Sequence, residues 1–213
     1  MDGNQQLLTA LSTEHFTLQG ARSQTMSESS ARASLYVFSV SSVLIALGFI
    51  GQVSEIGDLF NTFALTVLPT LYVLGVATFV RLVECAAEDF RYGMAINRIR
   101  GYYEEIAGDR ADLFLLSGKD DASGVRENMG MPRGGRVPVF AFSSAIAVIN
   151  GVVGGAAVAL ALGALAGASL GVAAIAGGAA AIASAVSWIR YSDAVFNERA
   201  ADVRPLSPSA RCR

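Results

Sequence analysis

Three stretches of the chain carry no charged residue: positions 33–54 and 59–80, 22 residues each, and positions 137–189, 53 residues. A helix that crosses the ~30 Å hydrocarbon core of a bilayer at 1.5 Å per residue needs ~20 apolar residues. The first two stretches are each long enough for one span. The third holds two spans and a turn, and the glycines Gly163, Gly167 and Gly171 mark where the turn belongs, because glycine tolerates turn geometry. The pattern predicts spans at 33–54, 59–80, 138–162 and 170–190. The expected fold is all-α: an integral membrane four-helix protein with helical extensions of its first two spans.

Outside the apolar runs the polarity changes. Residues 1–32 form a polar N-terminal segment, expected to be frayed over 1–11 and helical from about 13, where Ser12 or Thr13 offers an N-cap and Glu14 suits the first turn. Beyond the second span, Leu82, Ala86, Phe90, Met94, Ile99 and Tyr103 recur at roughly helical spacing with charges between them. That rhythm predicts a helical stalk over 81–116, with Gly108 as a stop and the apolar Phe114, Leu115 and Leu116 near its end. Residues 117–136, rich in glycine and mixed charge, read as a flexible linker, and 191–213 as a polar tail. Pro69, in the middle of the second span, predicts a kink, because proline removes a backbone donor and crowds the preceding turn.

Charge then orients the chain. All 16 lysines and arginines fall on one side of a four-span arrangement: Arg22 and Arg32 before the first span, nine between the second and third, and five after the fourth. The short turns between paired spans have none. By the positive-inside tendency that side is the cytosol, so both termini and the stalk are expected there, in a bacterial cell (inner) membrane. Trp188 and Tyr191 then lie where aromatic belts form. Some 30 polar residues precede the first apolar run, which does not read as a cleavable signal peptide. Cys85 and Cys212 both fall on the cytosolic side, where a disulfide framework is not expected. A net charge of −2 gives no footprint for nucleic acid.

The chemistry on offer is sparse. The single histidine, His15, and two remote cysteines make no zinc site, and no phosphate loop or dinucleotide fingerprint is present. No metal, cofactor or catalytic residue is assigned. The spans contain no Asp, Glu, Lys, Arg or His, which argues against a proton relay or voltage sensor. Asn150 is the strongest polar group in the membrane. It reads either as an interhelical hydrogen bond or as part of a polar pore lining, and so do Thr62, Thr66 and Thr70, which share a helical face. From 151 to 185, 23 of 35 residues are Gly or Ala. Gly151/Gly155, Ala173/Gly177 and Ala181/Ala185 follow the small-xxx-small spacing that lets helices approach closely in lipid. Whether they pack within the chain or between copies is not legible. Glu88, Asp89, Asn97, Arg98, Arg100, Tyr102, Tyr103, Asp120 and Asp121 form the densest polar set. Its readings are an ion-paired stalk, a surface for a partner, or, last, a carboxylate site.

Several strings resemble a group of uncharacterised small four-span membrane proteins of actinobacteria: EHFTLQ at 14–19, RASL at 32–35, SVSSV at 39–43, FVR at 79–81, AINRIR at 95–100 followed by Tyr102 and Tyr103, and FLLSGKDD at 114–121. The resemblance covers roughly residues 13–130. It implies a bacterial cell-membrane protein and carries no activity. Lys119 stands where the pattern has His, so the resemblance does not carry a histidine-dependent site over to that position.

The sequence therefore leads to a non-enzymatic membrane protein that self-assembles through its Gly/Ala faces, as a pore or a membrane sensor. The lipid bilayer and a second copy, or another membrane protein, are its expected partners. The alternative is a structural or regulatory subunit of a larger membrane complex, and the third reading is a membrane enzyme using the central carboxylates.

Overall fold

A computed structural model describes residues 3–53, 57–130 and 141–201. Among them the chain is helical and has no strand. The elements are α1 (Gly3–Val53), α2 (Gly57–Ala107), a 3-10 helix (Gly108–Leu113), α3 (Ala122–Asn128), α4 (Ala141–Ala166) and α5 (Leu170–Ala201). Four of these helices are long and apolar enough to cross a membrane, as an integral membrane protein requires.

The helix of the N-terminal segment starts at Gly3, not near 13. The reason is local: Gln5, Gln6, Leu7, Leu8, Ala10 and Leu11 are all good helix formers, and no proline interrupts them. α1 and α2 each run 51 residues, well past the ends of their apolar runs. α2 continues through Pro69, which is exposed. It ends where Gly108 takes a φ of +55°, the left-handed geometry that terminates helices. The expected helical stalk to 116 thus stops at Ala107 and gives way to the 3-10 helix and an extended stretch. Residues 117–130 are not a linker but a folded segment containing α3. The remaining linker positions, 131–136, lie outside the described residues, as do the first residues expected for the third span and the tail from 202 onward, with Cys212. α4 runs four residues beyond 162, because the break comes at Gly167 (φ +64°), and the Ala168 amide closes the turn onto the Leu162 carbonyl at 3.1 Å. α5 extends past 190 to Ala201.

The chain divides into two compact units. One comprises residues 29–83 and 140–194, the other residues 1–28, 84–139 and 195–213. In the first, segments of α1, α2, α4 and α5 pack around buried Tyr36, Leu68, Leu71, Phe79 and Ile146. Its outer surface is equally apolar, with Phe38, Ile45, Phe49, Val73, Ile175 and Ile182 exposed. A bundle apolar both inside and out suits a lipid surround. The α4–α5 contact is made by the glycines. Gly155 faces the Gly177 carbonyl and Ala181, and Gly151 faces Ala181 and Ala185. A Cβ at Gly177 would lie 2.8 Å from that of Ala159, so the two backbones pass too closely for larger residues.

In the second unit, the N-terminal part of α1 lies along the C-terminal part of α2, with buried Phe90, Met94, Ile96 and Ile99 on the α2 face and Val125 of α3 covering Gly93.

Candidate functional site

Polar side chains gather in two places, one in each unit. Within the apolar bundle, Asn150 of α4 is 1% exposed and its Oδ1 accepts a hydrogen bond from the Tyr36 hydroxyl of α1 at 2.9 Å. Its Nδ2 has no partner among the described residues. Gly75 of α2 completes the arrangement. A Cβ there would run into the Asn150 carboxamide and lie 2.7 Å from the Tyr36 hydroxyl, so only glycine leaves room. A second interhelical bond joins Tyr72 of α2 to Ser184 of α5 at 2.9 Å. Asn150 therefore sits among three helices rather than facing an open path. The sequence singled out Asn150 but neither Tyr36 nor Gly75. A tyrosine and an isolated glycine inside otherwise aliphatic runs were the available signal.

Thr62, Thr66 and Thr70 lie together on an exposed face of α2. Each hydroxyl donates to the carbonyl four residues back, at 2.8–2.9 Å. Such internal bonding satisfies the hydroxyl without water. Of the small-residue positions, Ala173 is buried on α5, while Gly151, Gly155, Gly177, Ala181 and Ala185 meet across the α4–α5 contact. The small-residue face of the hairpin is thus occupied within the chain. Phe79, Trp188 and Tyr191 form a short aromatic run, with centroid separations of 5.5 Å and 5.8 Å.

In the polar unit, Asn97 on α2 organises the folded segment. Its Nδ2 donates to the Lys119 carbonyl at 2.9 Å, and its Oδ1 accepts from Asn128 Nδ2 at 2.8 Å and from Arg100 at 3.0 Å. Asn128 also accepts from the Ser117 amide and donates to the Ser117 carbonyl, which folds 117–128 into a closed loop on α2. Arg98 binds Asp120 at 2.9 Å, with the carboxylate almost fully buried. Asp121 caps α3 by accepting from the Gly124 amide at 2.8 Å. The Ser123 hydroxyl hydrogen bond, reinforced by the Gly124 and Ser123 amides and nearby Lys119, holds the Asp121 carboxyl below its ordinary pKa. Gly118 and Gly124 are also required, since a Cβ at either would press into the backbone of Gly101 or Lys119. Lys119 itself turns outward, with a long 3.9 Å approach to Glu127.

Asp89, 2% exposed, is held two-pronged by Arg22 of α1, at 2.8 Å and 3.2 Å. Tyr103 meets the Ser12 hydroxyl at 3.3 Å and lies beside His15. Burial first, and Arg100 second, push the His15 pKa below its usual value. Tyr102 is half-buried on α2. Glu88 lines a cavity of about 500 Å³ with Leu11, Glu14, Leu18, Tyr92 and Arg91. A second cavity, also about 500 Å³, is lined by Arg22 and Arg100 together with Met26, Ile96, Leu116 and Met129. Asp89, Asp120 and Asp121 are each committed to a structural partner. No group of three metal-ligating side chains forms among the described residues.

Arg22, Ser117 and Asn128, all central to this unit, were not among the sequence candidates. Arg22 was visible only as a topological charge, and Ser117 and Asn128 fell in the stretch read as linker. No protein-family model matches the chain, and neither the curated proteins nor the solved structures contain a match to it.

Proposed function

We propose that this chain is a non-catalytic sensor of the bacterial inner membrane, with four spans and with both termini and the folded 84–130 region in the cytosol. The observation that supports it is the continuity of α1 and α2. Each is a single 51-residue helix belonging both to the apolar bundle and to the polar unit that holds the cavities. A helix without a break carries a displacement at one end to the other, which gives the polar unit a means of biasing the spans. The resemblance to actinobacterial four-span proteins and the one-sided distribution of Lys and Arg agree with this placement.

The pore reading loses its support, because Asn150 is enclosed and the Thr62, Thr66 and Thr70 hydroxyls bond to their own helix. Self-assembly would have to use a face other than the one filled by the α4–α5 contact. A second reading, a regulatory subunit, rests on the exposed apolar run at the end of the 3-10 helix, where Leu113 is 78% and Leu115 96% exposed. The enzyme reading is left with Glu88, which lines a cavity, since Asp89, Asp120 and Asp121 are each committed to a structural partner.

The test is a distance measurement between spin labels at Thr62→Cys and Val186→Cys, with the native cysteines replaced, before and after Asn97→Ala. The substitution frees the 117–128 loop in the polar unit. A changed distance distribution in the bundle supports coupling. An unchanged distribution, with the loop shown to be released, contradicts it.

A further inference from the structure

We propose that Arg22 and Arg100 form a binding site for an organic anion, with a phosphate or carboxylate head carried on a short apolar body. The inference rests on the sensor reading for what the ligand does, but not for whether it binds.

The cavity has the volume of a small-molecule site, about 500 Å³. Its lining is divided. Met26, Ile96, Leu116 and Met129 give it an apolar part, and its charged members are Arg22, Arg100 and Asp89. Among the lining residues two guanidiniums thus face one carboxylate, and Glu104 acts on Arg100 from outside the lining. Among the described residues Asp89 takes Nε and Nη2 of Arg22 and none takes Nη1. Arg100 donates from Nη1 to Asn97, and no described residue takes its Nε or Nη2. A guanidinium offers five donors in a fixed fork that matches phosphate and carboxylate oxygens. Burial is the largest influence on the Arg100 cation and disfavours it, Glu104 favours it, and Arg22, the smallest of the three, disfavours it; an anion between the two arginines offsets that last repulsion. Asn97 and Asn128, which also line the cavity, have their carboxamides committed to the loop, and they hold the wall in place rather than contact the ligand.

The probes are octyl phosphate and inorganic phosphate, added to the full chain in nanodiscs and followed by equilibrium dialysis. Saturable octyl phosphate binding is expected, with Arg100→Gln weakening it at least tenfold. Met129→Ala should weaken octyl phosphate but not inorganic phosphate. Arg100→Gln leaves the Asn97–Asn128 bond intact, so unaltered protease resistance of 117–130 establishes that the variant is folded. Absence of saturable binding, or equal binding by folded Arg100→Gln protein, overturns the proposal. Competition by phosphatidylglycerol in the disc, but not by phosphatidylcholine, assigns the site to a lipid headgroup. Equal binding in both assigns it to a soluble anion. Saturable binding without any change in the span distances refutes the sensor reading and leaves the site standing.

Discussion

Replacing Gly155 by alanine tests the α4–α5 packing against a control on the same hairpin. A methyl at Gly155 meets the Gly177 carbonyl and stands 2.8 Å from the Ala181 Cβ, where ordinary contact begins at 3.4 Å. Neither neighbour is the end of a flexible chain, and the Gly177 carbonyl is the nearer of the two, so the helices must separate by more than about 0.6 Å or shift along each other. A methyl at Gly178, also on the hairpin, meets nothing within 4 Å. Both substitutions remove the conformational freedom of a helical glycine, a gain of about 0.5–1 kcal/mol that is common to the pair. What differs is the overpacking, about 1–3 kcal/mol. Gly155→Ala should therefore be less stable than Gly178→Ala by that amount. The single tryptophan, Trp188 on α5, packs 5.5 Å from Phe79 and reports the loss of this region during detergent titration in mixed micelles. If the two variants unfold at the same detergent fraction, the close approach of α4 and α5 is not what holds the hairpin.

Other outcomes follow from the polar contacts. Tyr36→Phe removes the bond to Asn150 and should cost about 1 kcal/mol in the same titration, whereas Gly75→Val should prevent the bundle from closing, read as loss of folded protein in the membrane fraction. Asn97→Ala removes three hydrogen bonds, so amide exchange across 117–128 should rise sharply while exchange in α4 and α5 stays slow. As the only histidine, His15 gives an isolated NMR titration: its midpoint should lie below 6.5, and Arg100→Gln should move it upward, because Arg100 disfavours the imidazolium. Asp121 is held below its ordinary carboxyl value in the folded state, so its contribution is present above pH 3.8 and is lost as pH falls toward its depressed value. Exchange protection of α3 should fall in that acid range, and Asp121→Ala should cost about 1 kcal/mol of local stability at neutral pH through loss of the cap.

The spans were legible because the requirement they satisfy is one-dimensional: enough uncharged residues in a row. The same holds for Gly108 as the end of α2, since a glycine after a helical rhythm has few other uses. The 117–130 region was not legible, because its order depends on pairings between residues 11 to 31 positions apart. Gly118 and Gly124 looked like flexibility in the sequence, yet each is there because backbone approaches it. Asn97 was visible as a polar residue on a helix, but its partners were not. In the membrane, Asn150 stood out by polarity alone, while its neighbours Tyr36 and Gly75 became meaningful only once three helices met. The Gly/Ala spacing announced close packing without saying between which helices, and the structure places it between α4 and α5.

The proposed sensor requires four spans with the polar unit on the cytosolic side. Single cysteines at Ser12, Asp58 and Lys119, in a chain whose native cysteines are replaced, measure this directly with a membrane-impermeant thiol reagent on intact cells and on opened membranes. Labelling is expected at Asp58→Cys in intact cells, and at Ser12→Cys and Lys119→Cys only after the membrane is opened. Labelling of Lys119→Cys from outside, or of Ser12→Cys and Lys119→Cys from opposite sides, would contradict it.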